Sequence, residues 1–244
     1  MAAADDRPLD ALVAEARQVA PPRGFTRALT AAPGLSVIAE VKRRSPSKGA
    51  LNVDLDPAAV ASAYEAGGAA CLSVLTDAEF FGGSVEDLQL ARTATALPVL
   101  RKDFTVAAHD VADARLMGAD AVLLIAAALD ELELIELHAL ATDLGLDVLV
   151  EVHDEPELEI ALQSGATLVG VNQRDLVTFQ VDHERAARMA AAIPDTVTKV
   201  AESGVRDRDD AKRLADAGYD AILVGETLVT SGNPARALRD LLDF

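Results

Sequence analysis

Cysteine is nearly missing from this chain. Cys71 stands alone, so no intramolecular disulfide can form, and a cytoplasmic setting is expected. No Cys or His residues gather at metal-ligand spacing, so no metal site is expected. Long apolar runs are missing as well: none approaches the roughly 20 residues of a membrane span, and the acidic residues 1–7 have no signal-peptide shape. Lysine is scarce, with Lys42, Lys48, Lys102, Lys199 and Lys212 the only five. Positive charge in general is outweighed by negative, and a net charge of −18 argues against a nucleic-acid surface. Such an Asp-rich, lysine-poor exterior fits a protein working at high salt, where screening relieves self-repulsion. It fits equally an acidic protein from a GC-rich genome, which favours Ala and Arg over Lys. Aromatic side chains make up only 3% of the sequence, so any that fall beside polar clusters are informative.

What the chain does hold is apolar content, 50% of 244 residues, enough for one large core. Residues 9–20 carry apolar side chains at helical spacing (Leu9, Leu12, Val13, Ala16, Val19) and stop before Pro21-Pro22. A helix is expected there, inside a leader over 1–35. A unit then repeats through 36–244. A helical stretch ends in glycine, one or two small or polar residues follow, and an apolar run begins, as after Gly67, Gly118, Gly145, Gly165 and Gly218. Glycine supplies the left-handed conformation that ends a helix. The runs lack polar alternation, which marks strands buried on both faces. With the opening run and two more after Pro98 and Pro194, strands are predicted near 36–41, 70–75, 98–101, 120–125, 147–152, 167–171, 197–201 and 220–224. Helices are predicted near 57–66, 84–96, 107–117, 130–144, 155–164, 182–193, 207–217 and 233–242. Asp56-Pro57 is a strong start, with Asp as cap and Pro in the first helical position. Eight alternations predict an α/β fold, a single (β/α)8 TIM barrel over 36–244 with an extra N-terminal helix. An open doubly wound sheet is the alternative, and the lack of G-x-G-x-x-G after the first strand lowers it.

In such barrels chemistry sits at the C-terminal ends of the strands. The first strand ends in Glu40 and Lys42, two apart and so on one face. A loop with Ser45, Ser47 and Lys48 follows. The second strand leads to Phe80, Phe81 and two glycines, the third to Arg101, Lys102 and Phe104, the fifth to Glu151, the sixth to Asn172 and Arg174. The seventh ends in Glu202-Ser203-Gly204, the eighth in Gly225-Glu226. A strongly acidic protein thus places Lys42, Arg43, Arg44, Lys48, Arg101, Lys102 and Arg174 at one predicted rim. A small anionic substrate is expected. The glycine turns after the last two strands, with a short helix near 226–229, suit a phosphate group. Phe81 and Phe104 fit an aromatic ring of a substrate, and equally the packing of rim loops.

These strand ends resemble those of the indole-3-glycerol-phosphate synthase family. The matching segments are E-V-K-R-R-S-P-S-K-G at 40–49, T-D-A-E-F-F-G-G-S at 76–84, V-L-R-K-D-F at 99–104, L-V-E-V at 149–152, V-N-Q-R-D-L at 171–176, A-E-S-G at 201–204 and L-V-G-E at 223–226. Each is short; all seven in order on a barrel pattern are specific. The resemblance implies a ring-closing decarboxylation and dehydration of 1-(2-carboxyphenylamino)-1-deoxyribulose 5-phosphate, with no cofactor or metal. It implies Lys102 as proton donor, Lys42 as holder of the substrate carboxylate, and Glu151 as acid or base, with burial raising its proton affinity. Glu40, Glu202 and Asn172 would orient these groups. Substrate contacts would come from Ser45, Phe81, Phe104, Arg174, Ser203, Gly204, Leu223, Gly225 and Glu226. Partners would be the phosphosugar substrate and other enzymes of the same pathway. A sister barrel resembling phosphoribosylanthranilate isomerase, or a phosphosugar-binding scaffold without activity, are the other readings. The histidines at 109, 138, 153 and 183 receive no role.

Overall fold

The structure, a computed structural model, describes residues 7–175 and 177–244. Residues 1–6 of the leader and Leu176, the last residue of the V-N-Q-R-D-L segment, lie outside the described residues. Eight parallel strands close on themselves: β1 (Ser36–Val41), β2 (Cys71–Leu75), β3 (Val99–Lys102), β4 (Ala121–Ile125), β5 (Asp147–Val152), β6 (Leu168–Asn172), β7 (Thr198–Glu202) and β8 (Ala221–Val224). Each pairs with its neighbour in the chain, and β8 pairs with β1 in the register Ser36↔Ala221 to Ala39↔Val224. The barrel predicted from the sequence is present, with strand bounds shifted by about one residue.

Alternation along each strand divides the core in two. Ile38, Cys71, Leu100, Leu123, Leu149, Leu168, Val200 and Leu223 fill the barrel interior. Val37, Ala39, Leu72, Val74, Val122, Val150, Val169 and Ile222 face the surrounding helices. Both sets are buried, which explains runs without polar gaps.

The leader supplies helices α1 (Leu9–Ala16) and α2 (Phe25–Leu29). The surrounding layer consists of α3 (Pro57–Gly67), α4 (Val85–Ala94), α5 (Ala108–Met117), α6 (Glu131–Asp143), α7 (Glu155–Gln163), α8 (Arg185–Met189), α9 (Arg208–Asp216), the short α10 (Glu226–Val229) and α11 (Pro234–Leu242). Side-chain oxygens cap many of their starts. Asp56 accepts from Ala58 and Ala59 N–H, and Ser84, Asp130, Asp154, Asp207 and Asn233 do the same for their helices.

Two local expectations change, and one helix is new. The leader helix stops at Ala16 rather than reaching residue 20, because the Val19 and Ala20 carbonyls accept from Arg115 Nη2 at 3.0 and 2.6 Å. The helix expected over 182–193 is α8 followed by a 3-10 turn, Ala190–Ala192, since Pro194 disfavours helical backbone just before it. Helix α2 has only five residues, too few to show a period.

That short helix plugs the N-terminal end of the barrel. Phe25 and Leu29 are fully buried among Ile38, Cys71 and Leu100. The plug is tied by polar groups: Ser36 Oγ donates to Leu29 O at 2.7 Å, and Thr26 N–H donates to Asp147 Oδ2 at 3.1 Å. Asp120, with no exposed surface, accepts from Arg23 N–H (2.7 Å), Val99 N–H (2.8 Å) and the Arg92 guanidinium. Among the described residues no helix is long and apolar enough to cross a membrane.

Asp120→Ala leaves two backbone N–H groups and a guanidinium without their acceptor. It is expected to lower the unfolding free energy by about 3 kcal/mol, read from the urea midpoint at unchanged slope. The surplus carboxylates, among them Glu131, Glu155, Glu159, Asp209 and Asp240, lie exposed on helix faces. Screening their repulsion should raise the melting temperature from low to molar potassium chloride; a flat response would contradict this reading of the surface.

Candidate active site

The C-terminal end of the barrel opens into a cavity of about 510 Å³. Alternation aims the last inward side chain of several strands at one point: Glu40 from β1, Lys102 from β3, Glu151 from β5, Asn172 from β6 and Glu202 from β7. Lys102 Nζ stands 3.2 Å from Glu151 Oε2 and 3.7 Å from Glu202 Oε2. Asn172 Nδ2 donates to the other oxygen of Glu151 at 2.9 Å. Lys42 pairs with Glu40, as their spacing of two requires, and Tyr64 donates to the Glu40 backbone carbonyl at 3.0 Å.

Burial and charge divide these groups. Burial alone would discharge Lys102, but Glu151, Glu202 and Glu40 outweigh it and hold the ammonium above its ordinary pKa. The expectation that burial raises Glu151 covers only its first contribution. Burial does push it up, yet Lys102, the Asn172 hydrogen bond and His153 bring it below the ordinary carboxylate value. Glu202 takes the opposite course. Burial and the charge of Glu151 push it up to about 8, so it keeps a proton at neutral pH. Two carboxyls beside one ammonium thus separate into an anion and an acid.

The rim is built from loops. Residues Arg44–Ser45 and Gly49–Ala50 pair as a hairpin after β1, which carries Ser45 and Lys48 over the cavity. Lys48 lies 3.4 Å from Glu226 across the mouth. Phe81 and Phe104 line the opening, and Phe104 meets Phe80 edge to face at 6.3 Å. Arg174 Nη1 donates to Phe179 O at 3.1 Å and so braces its loop while facing the cavity. After β7, Ser203 and Gly204 both take left-handed backbone, φ 65° and 78°. After β8, Gly225 opens α10; a Cβ there would sit 2.3 Å from Glu40 Oε1, so any side chain must displace the Glu40 carboxylate. Leu223 forms part of the floor.

Every candidate site residue named from the sequence lines this cavity. Three of the seven rim cations do not. Arg101 alternates with Lys102, so it points outward and donates to Asp110 O and Asp103. Arg43 turns to Leu55 O and Asp87, and Arg44 to the Ala78 and Glu79 carbonyls. Three groups were missed, His183 in the cavity lining among them. Arg206 lines the cavity while paired to Asp210 at 2.8 Å. His153, two residues beyond Glu151 and just past the end of β5, lies 3.6 Å from it without lining the cavity; the E-x-H spacing was the available signal.

A closed parallel barrel with a lysine between two buried carboxyls, below glycine turns of the last two strands, defines a barrel enzyme for a small anion. Comparison with known proteins narrows the class. The family model described as indole-3-glycerol phosphate synthase matches residues 1–241. A relative of that name from Parafrankia sp. (strain EAN1pec) is 53% identical over 96% of this chain and 87% of its own length. One from Nocardioides sp. (strain ATCC BAA-499 / JS614) is 53% identical over 91% and 85%. One from Mycolicibacterium gilvum (strain PYR-GCK) is 53% identical over 86% and 78%. Among solved structures, a thiamine phosphate pyrophosphorylase from Pyrococcus furiosus has a TM-score of 0.64 at 18% identity, covering 85% of this chain and 93% of that one. That likeness concerns the fold. The chain belongs to the indole-3-glycerol phosphate synthase family, which sets aside the sister-isomerase reading.

Gly225→Ala forces Glu40 out of its place and disturbs the turn beside it. Affinity for inorganic phosphate, measured as competition with substrate, should fall by about tenfold or more. No change on substitution, or no competition by phosphate in the native protein, would place the anion elsewhere.

Proposed function

We propose that the barrel mouth closes an indole ring, converting 1-(2-carboxyphenylamino)-1-deoxyribulose 5-phosphate to indole-3-glycerol phosphate, carbon dioxide and water. The observation that carries this reading is the position of Lys102 Nζ between two buried carboxyls, 3.2 Å from Glu151 and 3.7 Å from Glu202. The phosphate would rest on the N–H groups of the Ser203-Gly204 and Gly225-Glu226 turns at the start of α10. The aromatic ring would lie between Phe81 and Phe104, its carboxylate on Lys42, with Ser45, Arg174 and Leu223 completing the enclosure.

The ring carbon bearing the carboxylate attacks the ribulose C2 carbonyl, whose oxygen becomes an alkoxide. An alkoxide is more basic than an amine, so the Lys102 ammonium gives it a proton although its own pKa is raised. The C–C bond to the carboxylate then breaks, carbon dioxide leaves, and the electron pair restores the aromatic ring. In the second stage the new hydroxyl departs as water. Glu202, protonated at neutral pH, supplies the proton for that departure, ionised Glu151 removes the proton whose loss completes the double bond, and passing that proton from Glu151 to its neighbour Glu202 restores both groups. Asn172 holds Glu151 in place, and Glu40 holds Lys42. Retained Lys102 and Glu151 also speak for activity over a scaffold role, and a pathway enzyme of this kind would act in the cytoplasm, where its partners would be.

Incubating the pure protein with the ribulose phosphate and following indole fluorescence tests the reading, and no signal would sink it. Lys102→Ala should lower kcat by roughly 10²–10⁴-fold with a small change in KM. Lys102→Arg should restore little, because guanidinium keeps the charge and is a very poor acid. Lys42→Ala, acting on a carboxylate present from the start, should raise KM as well. Near-full single-turnover activity of Lys102→Arg would make Lys102 an electrostatic contact only.

A further inference from the structure

Beside Glu151, outside the residues that line the cavity, His153 and Glu157 extend the row of titratable groups. His153 Nδ1 lies 3.0 Å from Glu157 Oε2, and the His153 backbone N–H donates to the same oxygen at 2.7 Å. That oxygen already accepts from a backbone N–H, so Nδ1 is placed to donate to it as well. The other nitrogen, Nε2, then faces Glu151 Oε1 at 3.6 Å; it is buried and has no hydrogen-bond partner among the described residues. A neutral ring would aim its lone pair at a carboxylate there, whereas a charged ring aims an N–H. The groups facing this ring are Glu151 on β5, Glu157 on α7 and Arg185 on α8. Burial pulls the ring's pKa down, but the Glu157 hydrogen bond and the charges of Glu151 and Glu157 outweigh it and Arg185, leaving the ring above its ordinary value.

We propose that His153 is a positioning residue that stores a proton beside Glu151 and recharges Lys102 through that carboxylate while substrate fills the mouth. The inference rests on the reading of Lys102 and Glu151 given above. Ring closure turns an ionised carboxylate into neutral carbon dioxide, so each turnover takes up one proton. Lys102 gives its proton to the alkoxide and is left as an amine inside a filled cavity. The chain Glu157–His153–Glu151–Lys102, with spacings of 3.0, 3.6 and 3.2 Å, leads to it from residues outside the cavity lining. His153 Nε2 passes its proton to Glu151 Oε1. A half-turn of the carboxyl group presents that proton to Lys102 Nζ. His153 ends neutral, Glu151 ends as a carboxylate and Lys102 as an ammonium. The ring regains a proton from solvent when product leaves.

The test is the pH profile of kcat for the native protein and for His153→Asn, with KM and melting temperature recorded for both. The native kcat should fall as pH rises through the raised His153 pKa. His153→Asn should lose that dependence and lower kcat on the order of tenfold, below the roughly 10²–10⁴-fold of a group acting on substrate itself, with KM unchanged. A purely structural role would lower the melting temperature and leave the profile's shape intact. NMR titration of the His153 ring serves independently of whether the variant folds: the ring should titrate above ordinary histidine, and its pKa should drop in Glu151→Gln. If native enzyme turns over, Glu151→Gln is inactive and His153→Asn keeps the native rate and profile, this inference fails alone. Titration of the ring at or below the ordinary value would overturn it too. Absence of turnover in the native protein would instead remove the ring-closure reading, and this inference with it.

Discussion

One ammonium group, Nζ of Lys102, decides how the mouth is charged. It lies within 4 Å of two buried carboxyls, Glu151 and Glu202. One positive charge satisfies one of them. Glu151 takes it, reinforced by Asn172 and His153; Glu202 keeps its proton instead. With Lys42 beside Glu40, two ammonium groups then face two carboxylates. A site nearly neutral inside a protein of net charge −18 can receive an anion that the rest of the surface would repel.

Holding such a group in place requires a rigid frame, and the frame comes from period-two alternation in eight strands. Inward positions near the N-terminal end are apolar and sealed by Phe25 and Leu29 of α2. Those at the C-terminal end carry the charges. Asp120 does for the sealed end what Lys102 does for the open one: a single buried charge ties the leader, β3 and α4 together. The difference lies in satisfaction. Asp120 has every neighbour it needs, while Glu202 Oε1 and His153 Nε2 have no hydrogen-bond partner among the described residues, as expected where substrate or a mobile proton completes the set.

Much of this was legible in the sequence. Buried parallel strands write themselves as apolar runs, and glycine marks the helix ends, so the barrel and its strand-end residues could be read directly. The family resemblance pointed to the same positions, from Glu40 to Glu226. What escaped depends on three-dimensional detail. Arg101 stands next to Lys102 in the chain and on the opposite face of the strand, so proximity in sequence misled about the rim. The proton affinity of Glu151 could not follow from its valine neighbours, because Lys102 comes from another strand. Helix α2 is held by tertiary contacts rather than by a period of its own. His153 was visible as E-x-H, but its meaning required Glu157 on the following helix.

The most direct test is a carbon-13 carboxyl titration of Glu151 and Glu202 in the native protein and in Lys102→Met. In the native protein one carboxyl, that of Glu202, should titrate near pH 8, and Glu151 should stay ionised to below the ordinary carboxylate range. Removing the ammonium should raise Glu151. Two carboxyls titrating together in the ordinary range, or a Glu151 that ignores the loss of Lys102, would contradict the division of roles between them.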